Sequence, residues 1–370
     1  MAVRKRKWTT GKGEQKEAWV VDYYDATGKR RFETFTRKKD ADEAHDKIRT
    51  AVRAGNHVAT SGSKTVREAA ALWLDSVADR IEPASFMNYR GHVNSFIVKH
   101  LGDVKLSKLN MATVRGFEDW LAKNNSPIMV RKVMTTFGTM ISDARERGFV
   151  ATNVVQDLLR GRKGKRTSEQ RHNGKLKVGV DIPTPDEVGA IITAAPPRWR
   201  PLFVVAAFTG LRASELRGLR WIDVDLKKNE LHVRQRADRF RRIGPPKSRA
   251  GSRTVPFGKI VANTLKEWKL ACPKGDLGLV FPNGSGKVEY LSNIIKRGLK
   301  PTQSKYTGMH VFRHFYASWC IDRNLPPKVI QERMGHSSIT ITFDRYGHLF
   351  PRSDDAGEID AAELRVVGAS

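Results

Sequence analysis

A basic segment near the middle of the chain divides it into parts that must fold around separate cores. Residues 160–178 contain eight Lys or Arg side chains, one acidic side chain and almost no apolar ones. Such a composition cannot bury enough apolar surface to fold, so we predict an extended linker there. Its charge suits contact with a phosphate backbone, although a merely solvated linker would have the same composition. At 370 residues, the chain then has room for two or three domains.

The whole chain shares this positive charge. It has 67 Lys and Arg against 39 Asp and Glu, a formal net charge of +28 and a pI of about 10.3. The first partner that this charge predicts is nucleic acid, because Lys and Arg neutralise phosphates. A basic protein bound to a membrane surface is one alternative, but the basic residues are not gathered on one amphipathic helix. A generally basic surface without a specific partner is another.

Several classes of protein are excluded by composition. Hydrophobic residues make up 39% of the chain, which is enough for packed cores. No apolar run reaches the roughly 18 residues that a membrane span needs. The N-terminal MAVRKRKW has no apolar segment of the secretory type, so we expect no signal peptide. Two cysteines, Cys272 and Cys320, are too few for a disulfide framework or a cysteine metal site. These features predict a reduced, intracellular protein.

The first 60 residues read as a small basic module. Alternation over 18–24 predicts a strand, 25–28 a turn, and 29–35 a return strand. A helix is predicted from Lys38 to Ala54, and packing on it would give the hairpin a hydrophobic face. The basic and aromatic strands have the dimensions to enter a DNA major groove. A solvated sheet without such a role is the alternative.

Residues 64–160 are predicted to form an all-helical domain. Thr65 and Glu68 have the spacing of a capping box at a helix start. Apolar residues at helical spacing predict four helices, carried by residues 69–77, 89–97, 114–121 and 130–141. These stripes are best explained as the core of a helical domain.

Residues 182–350 are predicted to form the last domain, after a linker at 161–181. Thr184, Pro185 and Glu187 give a strong helix start, and helical patterns dominate from there. A short strand section intervenes near 230–235 and 253–256. The fold class is therefore mainly α with small β-sheets. A tail at 351–370 ends in a short helical pattern, which either frays or docks on another subunit.

Familiar cofactor sites are missing from the sequence. It has no GxxxxGK[ST] phosphate loop, and no cluster of carboxylates suggests a two-metal nuclease. His310 and His314 have zinc-site spacing, but Val311 stands where an HExxH motif needs Glu. We therefore predict neither a metal nor a nucleotide cofactor. His314 has two open interpretations, contact with an active site or helix packing.

A first cationic motif lies in TGLRASEL, residues 209–216. Arg212 follows Gly210 at a predicted helix start, and Gly210 would let the backbone turn sharply there. Amide groups at a helix N-terminus together with a guanidinium suit a phosphate. Glu215, one turn later, is placed to hold Arg212.

Two further motifs follow near the C-terminus. In HVFRH, His310 and Arg313 are three residues apart and so lie on one helical face. In MGHSSITITFDRY, His336 is followed ten residues later by Tyr346. Each motif alone is weak, since a lone Arg is usually a surface residue and a lone Tyr usually packs.

Together and in this order, TGLRxSEL, HxxRH and GHSSIxxTxxxY resemble the tyrosine recombinase family of the phage-integrase type. Phe312 and Met334 stand where Leu is common, and both changes conserve volume. The resemblance implies that the helical and last domains are a core-binding and catalytic pair, forming a C-shaped clamp around DNA. It also implies that residues 1–60 are a three-stranded arm-type DNA-binding module, β-β-β-α, and that the catalytic domain is mixed α/β.

The resemblance implies a catalytic set of six residues: Arg212, Lys247, His310, Arg313, His336 and the nucleophile Tyr346. Two bidentate arginines would stabilise a phosphodiester transition state without a metal. Tyrosine has a pKa of about 10, so it needs positive charge and a base to attack at neutral pH. Lys247, in the predicted hairpin, would protonate the leaving 5′ oxygen, with Arg249 as the alternative.

The implied activity is site-specific recombination through a 3′-phosphotyrosine link, without ATP. The chain would bind attachment sites in double-stranded DNA, act as a homotetramer, and integrate and excise a mobile element such as a prophage in the bacterial cytoplasm or nucleoid. DNA-bending and directionality proteins are further candidate partners, and no membrane is. A type IB topoisomerase-like enzyme, which relaxes one duplex, and a DNA-binding protein with a vestigial site are the alternatives.

Overall fold

The computed structural model describes residues 2–9, 11, 14–24, 28, 30–53, 63–160, 175–351 and 363–368. The chain divides into two compact units, residues 1–166 and 167–370. Residues 161–174, most of the basic linker, lie outside the described residues. The linker and the five-part division of the chain therefore stay predictions.

The first unit begins with a three-stranded antiparallel sheet in the order β1-β2-β3. The strands are β1 (Ala2–Thr9), β2 (Gln15–Tyr24) and β3 (Arg30–Phe35), followed by helix α1 (Lys38–Arg53). The predicted hairpin and helix are confirmed. The sequence pattern had not located β1, whose Arg and Lys residues give no apolar alternation and which only the resemblance implied.

The two faces of this sheet differ in chemistry because alternate residues point to opposite sides. Val21 and Tyr23 of β2 are buried against α1, with Ala41 and Ile48 of the helix. Arg4 pairs with Val20 in the register, so it lies on the opposite face. That face also carries Arg6, Tyr24 and Phe32, all of them exposed.

Helices follow in the first unit. They are α2 (Val66–Ala78), α3 (Pro83–His92), α4 (Val98–Leu101), α5 (Met111–Asn124), α6 (Pro127–Glu146) and α7 (Val154–Arg160). The predicted capping box is confirmed. The Thr65 hydroxyl accepts a hydrogen bond from the Glu68 backbone amide, and the Glu68 carboxylate accepts one from the Thr65 backbone amide. A π turn at Val93–Ile97 joins α3 to α4 without a break. The core contains Trp73, Phe117 and Phe137, on the predicted apolar stripes. Helix α7 is an addition to the four predicted helices.

The second unit is mostly helical. Its helices are α8 (Pro185–Ala194), α9 (Arg200–Thr209), α10 (Ala213–Gly218), α11 (Lys259–Ala271), α12 (Leu291–Asn293), α13 (His310–Asp322), α14 (Pro327–Met334) and α15 (Ile339–Tyr346). The predicted start of α8 is confirmed, with Thr184 and Glu187 forming a capping box. Helix α9 is buried along most of its length at the centre of the core, where Phe203 stacks on Phe312 of α13.

Small sheets flank this helical core. Strands β4 (Val224–Asp225), β5 (Glu230–Val233) and β8 (Arg253–Pro256) form an antiparallel sheet in the order β4-β5-β8. Strands β6 (Arg236–Ala237) and β7 (Ile243–Gly244) form a separate hairpin between β5 and β8. The predicted strand section is confirmed, and the observed fold is mainly α with small sheets.

The described residues include no helix that is long and apolar enough to cross a membrane. Residues 363–367 form a short helix whose side chains are exposed. This covers part of the helix predicted near the C-terminus, and residues 352–362 lie outside the described residues.

Candidate active site

Five of the six predicted site residues line one pocket of about 220 Å³ in the second unit. They come from three motifs that are separated in sequence, the first with Arg212, the second with His310 and Arg313, and the third with His336 and Tyr346. The pocket wall is predominantly polar and cationic. The fold therefore gathers the three separate motifs into one site.

Arg212 is fixed at the start of α10. The preceding α9 ends at Gly210, whose φ of 63° lies in the left-handed region, and a Cβ there would collide with the Tyr316 ring. Arg212 Nη1 donates to Glu215 Oε1 at 2.7 Å, and Nη2 donates to the Gly335 carbonyl at 3.0 Å. The predicted role of Glu215 in holding Arg212 is confirmed.

Glu215 has a second cationic partner that the sequence analysis missed. Arg253 of β8 donates to both Glu215 oxygens, at 3.2 and 2.9 Å, and its Nε donates to the Arg333 carbonyl at 2.6 Å. The side chains of Glu215 and Arg253 are 3% and 6% exposed. Burial opposes ionisation of Glu215, but Arg253 and then Arg212 outweigh it and hold the pKa of the carboxyl below its usual value.

Arg313 is the deeper of the two predicted arginines, with 3% exposure. Its Nη1 donates to the Gly210 carbonyl at 2.7 Å and its Nη2 to the Met334 carbonyl. Burial and the nearby Arg212 lower the pKa of Arg313 to about 9, so the guanidinium is still charged at neutral pH. Two carbonyls orient it because their helices end there, α9 at Gly210 and α14 at Gly335.

Tyr346 is the last residue of α15 and is only 1% exposed. Its hydroxyl lies 2.7 Å from Nδ1 of His314. Burial raises the pKa of Tyr346 to about 12, against the opposing charges of Arg313 and Arg345. The phenol is therefore protonated at neutral pH, and its proton must be removed before or during attack.

The two predicted histidines reach the pocket in different ways. His336 follows the left-handed Gly335, and its Nδ1 lies 2.9 Å from the Thr342 hydroxyl. Burial and the surrounding arginines lower the pKa of His336 to about 3, so the ring is neutral. His310 is the first residue of α13, and its ring packs edge-on against that of His314 at 5.2 Å.

The structure does not bring Lys247 into the pocket. It lies exposed in the connection between β7 and β8, and only its neighbour Ser248 lines the cavity. The alternative, Arg249, is exposed in the same connection. The choice between them therefore stays a prediction.

Three residues at or beside the pocket were not predicted or were left open: His314 and Arg345, which line it, and Arg253, which holds Glu215. His314 and Arg345 each lie next to a predicted site residue, so proximity in sequence was their one available signal. Arg253 had no such signal, because only the pairing of β8 with β5 carries it to Glu215. Among the described residues, no group of three or more His, Cys, Asp or Glu side chains could hold a metal ion.

Comparisons with known proteins identify the family of this chain. The phage integrase family model matches residues 183–352, and a phage integrase SAM-like domain model matches residues 80–162. The chain is 27% identical over 346 residues to a tyrosine recombinase XerC-like protein of Caldanaerobacter subterraneus subsp. tengcongensis. That match covers 85% of this chain and 87% of the relative.

Solved structures show the same fold. The integrase of transposon Tn1549 matches with a TM-score of 0.63 and 18% identity, covering 82% of this chain and 99% of that one. A lambda integrase structure matches with a TM-score of 0.59 and 17% identity, covering 94% of this chain and 95% of that one. The resemblance drawn from the three motifs is confirmed: the chain belongs to the phage integrase family, the tyrosine-type site-specific DNA recombinases.

Proposed function

We propose that this recombinase cuts DNA by attack of Tyr346 on a phosphodiester, forming a 3′-phosphotyrosine link, and rejoins the strand to a new partner. The observation that supports it most is the Tyr346 hydroxyl, buried in a pocket with two arginines whose orientations are fixed. A covalent link conserves the energy of the broken bond, so strand exchange needs no nucleotide. This separates recombination from hydrolysis.

Arg212 and Arg313 would bind the non-bridging oxygens of the scissile phosphate. Donors that are already oriented stabilise developing negative charge without reorganising, each typically by about 2.7–4 kcal/mol. The carbonyls of Gly210, Met334 and Gly335 supply that orientation here. We therefore assign charge stabilisation to the two guanidinium groups.

His336 and His310 both line this pocket and would assist there. With Nδ1 of His336 engaged by Thr342, its Nε2 is left for a phosphate oxygen. His310 stands at the N-terminus of α13, where its ring and the helix dipole both favour an anion.

Lys247 would protonate the leaving 5′ oxygen. It follows two prolines and precedes Ser248 at the pocket, so a modest movement of this connection on binding DNA would deliver the ammonium group. Two different protons would move: Tyr346 loses the first, and Lys247 donates the second to the leaving 5′ oxygen.

The DNA partner and the assembly of this protein are proposed from its positive charge and from the matched structures together. The matched Tn1549 structure is a complex with transposon DNA, and a lambda integrase tetramer is known on a Holliday junction. For this chain we propose attachment-site DNA, a tetramer, and integration and excision of a mobile element in the bacterial cytoplasm. The exposed basic face of the β1-β2-β3 sheet would bind arm-type sites, and the C-terminal helix would dock between subunits.

The decisive experiment uses a nicked suicide duplex that traps the covalent intermediate. Its attachment sequence is first selected from a random duplex library by binding to Tyr346→Phe protein. Wild type is expected to form a covalent protein–DNA adduct in EDTA, whereas Tyr346→Phe forms none. Tyr290→Phe, at an exposed tyrosine, is the matched control and should react like wild type. A wild-type protein that forms no adduct with the selected site would refute the proposal.

A plasmid assay separates recombination from topoisomerase action. A plasmid with two selected sites should be resolved into two circles or inverted between them. Relaxation of a single plasmid without any exchanged product would instead identify a topoisomerase.

A further inference from the structure

The contact that most needs an explanation in this pocket is that between His314 and Tyr346. Nδ1 of His314, on α13, lies 2.7 Å from the Tyr346 hydroxyl at the end of α15. Two residues that are 32 apart in sequence thus place an imidazole nitrogen within hydrogen-bond distance of the oxygen proposed to attack the phosphate. The motif resemblance placed His310 and His336 in the catalytic set and left His314 open.

Two other basic groups of the pocket, His336 and Arg313, already have partners of their own. Nδ1 of His336 is engaged by Thr342 at 2.9 Å. Arg313 is a cation with two of its nitrogens donating to carbonyls, so it has no lone pair to offer. In the described part of the chain, His314 provides the hydrogen bond to the Tyr346 hydroxyl.

The charge environment of His314 keeps its ring neutral. Burial first, and then His310, Arg345 and Arg313, lower the pKa of His314 to about 4, with Asp181 opposing them. These groups face the ring from its own helix, from the helix of Tyr346 and from the segment before α8. At neutral pH the ring therefore has a free lone pair, and the hydroxyl can donate to Nδ1 when Nε2 carries the proton.

We propose that His314 is the general base that takes the Tyr346 proton, an inference that rests on the proposed function of this site. As the Tyr346 oxygen bonds to phosphorus, its proton passes to Nδ1 of His314 and the P–O5′ bond breaks. The leaving oxygen takes its proton from Lys247. On rejoining, the 5′-hydroxyl returns a proton to Lys247 while the departing Tyr346 regains one from His314. Each proton and each electron pair is accounted for in both directions.

The first test replaces the base without emptying the site. In His314→Asn, an amide group takes the position of Nδ1 and preserves a hydrogen bond but cannot hold the proton. Its adduct formation on the suicide duplex should be roughly 100- to 10,000-fold slower, the usual contribution of a general base. His314→Phe, which keeps the ring volume, should be slowed as much. His232→Asn is the matched control, because His232 has a hydroxyl partner, Thr254, away from the pocket.

Folding is checked in the same preparations. Thermal unfolding and binding of the selected duplex should be close to wild type in at least one His314 variant. Adduct formation at the wild-type rate by either folded variant would overturn the inference. If wild type itself forms no adduct, it is the proposed function that fails.

The second test distinguishes a base from an acid. A duplex with a 5′-bridging phosphorothiolate has a sulfur leaving group that departs without a proton. It should restore cleavage by Lys247→Ala and leave His314→Asn slow. Restoration of His314→Asn instead would show that His314 acts on the leaving group, which would overturn the inference.

The pH profile gives a readout that a structural role would not change. With the base removed, attack depends on the small tyrosinate population, so the rate of His314→Asn should rise about tenfold per pH unit above neutrality. Wild type should show little dependence over the same range, because His314 is already neutral there. Parallel profiles for the two proteins would contradict the assignment.

Discussion

Glu215 and Asp22 are each held by a pair of arginines, and of these two carboxylates only Glu215 binds an arginine of the candidate active site. Glu215 lies between Arg253 and the pocket residue Arg212, while Asp22 lies between Arg4 and Arg30 on the N-terminal sheet. The Glu215 side chain is 3% exposed and both of its partners are further tied to backbone carbonyls. The arginines on Asp22 are 58% and 59% exposed.

The difference predicts two separate roles for arginine in this protein. In the pocket, burial and carbonyl partners leave each guanidinium one orientation, which suits a transition state. On the sheet, water screens the pairs and the arginines stay free to exchange Asp22 for a phosphate. Most of the +28 net charge is expected to act in the second way, as binding that weakens with salt.

Among comparisons of these two regions, an Arg→Lys substitution made in each is expected to give the largest difference in rate. Arg313→Lys should slow adduct formation at saturating DNA by roughly 100- to 1,000-fold, because a point charge cannot replace a fork held by two carbonyls. Arg4→Lys should change the rate of adduct formation less than twofold, because this side chain is exposed and Lys keeps its positive charge. Equal losses in the two variants would erase the distinction between the regions.

The next effect is on stability. Glu215→Gln leaves Arg253 buried without its charge partner, so unfolding in urea should show a loss of about 3 kcal/mol. Asp22→Asn should change the free energy of unfolding little, because its partners are solvated.

The same carboxylate predicts a pH dependence. The folded-state pKa of Glu215 is depressed, so its stabilisation is complete above the usual value of 4.5 and is lost as the pH falls below it. Wild type should therefore lose stability below pH 4.5 more steeply than Glu215→Gln. Identical acid unfolding of the two proteins would show that Glu215 is not held ionised by its arginines.

A smaller effect is expected from two histidine–threonine hydrogen bonds of equal length. Thr342→Val removes the 2.9 Å partner of His336 Nδ1, and the freed ring should slow adduct formation by roughly three- to tenfold. Thr254→Val removes the 2.9 Å partner of the half-buried His232, which lies away from the pocket, and should leave the rate unchanged.

The smallest effect concerns affinity alone. Arg6 lies on the exposed face of the N-terminal sheet. If it contacts a phosphate, Arg6→Ala should reduce the slope of log affinity against log salt by about 1, with no change in the adduct rate at saturation. Binding titrations at several salt concentrations measure this slope, and an unchanged slope would count against an arm-type role for the sheet.

Local patterns accounted for the parts of the fold that depend on neighbours in sequence. The capping boxes at Thr65 and Thr184 marked their helices, and the left-handed Gly210 placed Arg212 at the start of α10. Strand β1 was not predicted from hydrophobic alternation, because its run of Arg and Lys residues has no apolar period. Helix α7 escaped because its seven residues are too few for a clear period.

The parts of the site that depend on tertiary contacts could not be predicted. Arg253 and His314 owe their roles to Glu215 and Tyr346, which pairing and packing bring to them. The motifs identified which residues meet, but a distance such as the 2.7 Å between His314 and Tyr346 follows only from how α13 and α15 pack. Lys247 differs from these residues, because it is exposed here and its predicted role depends on a DNA-bound state.

The central claim is that Tyr346 itself becomes bonded to DNA. After trapping on the suicide duplex, nuclease and protease digestion followed by mass spectrometry would identify the residue that carries the nucleotide. One modified peptide is expected, containing Tyr346 with a 3′-linked phosphate. A nucleotide on any other residue, or a 5′ linkage, would contradict it.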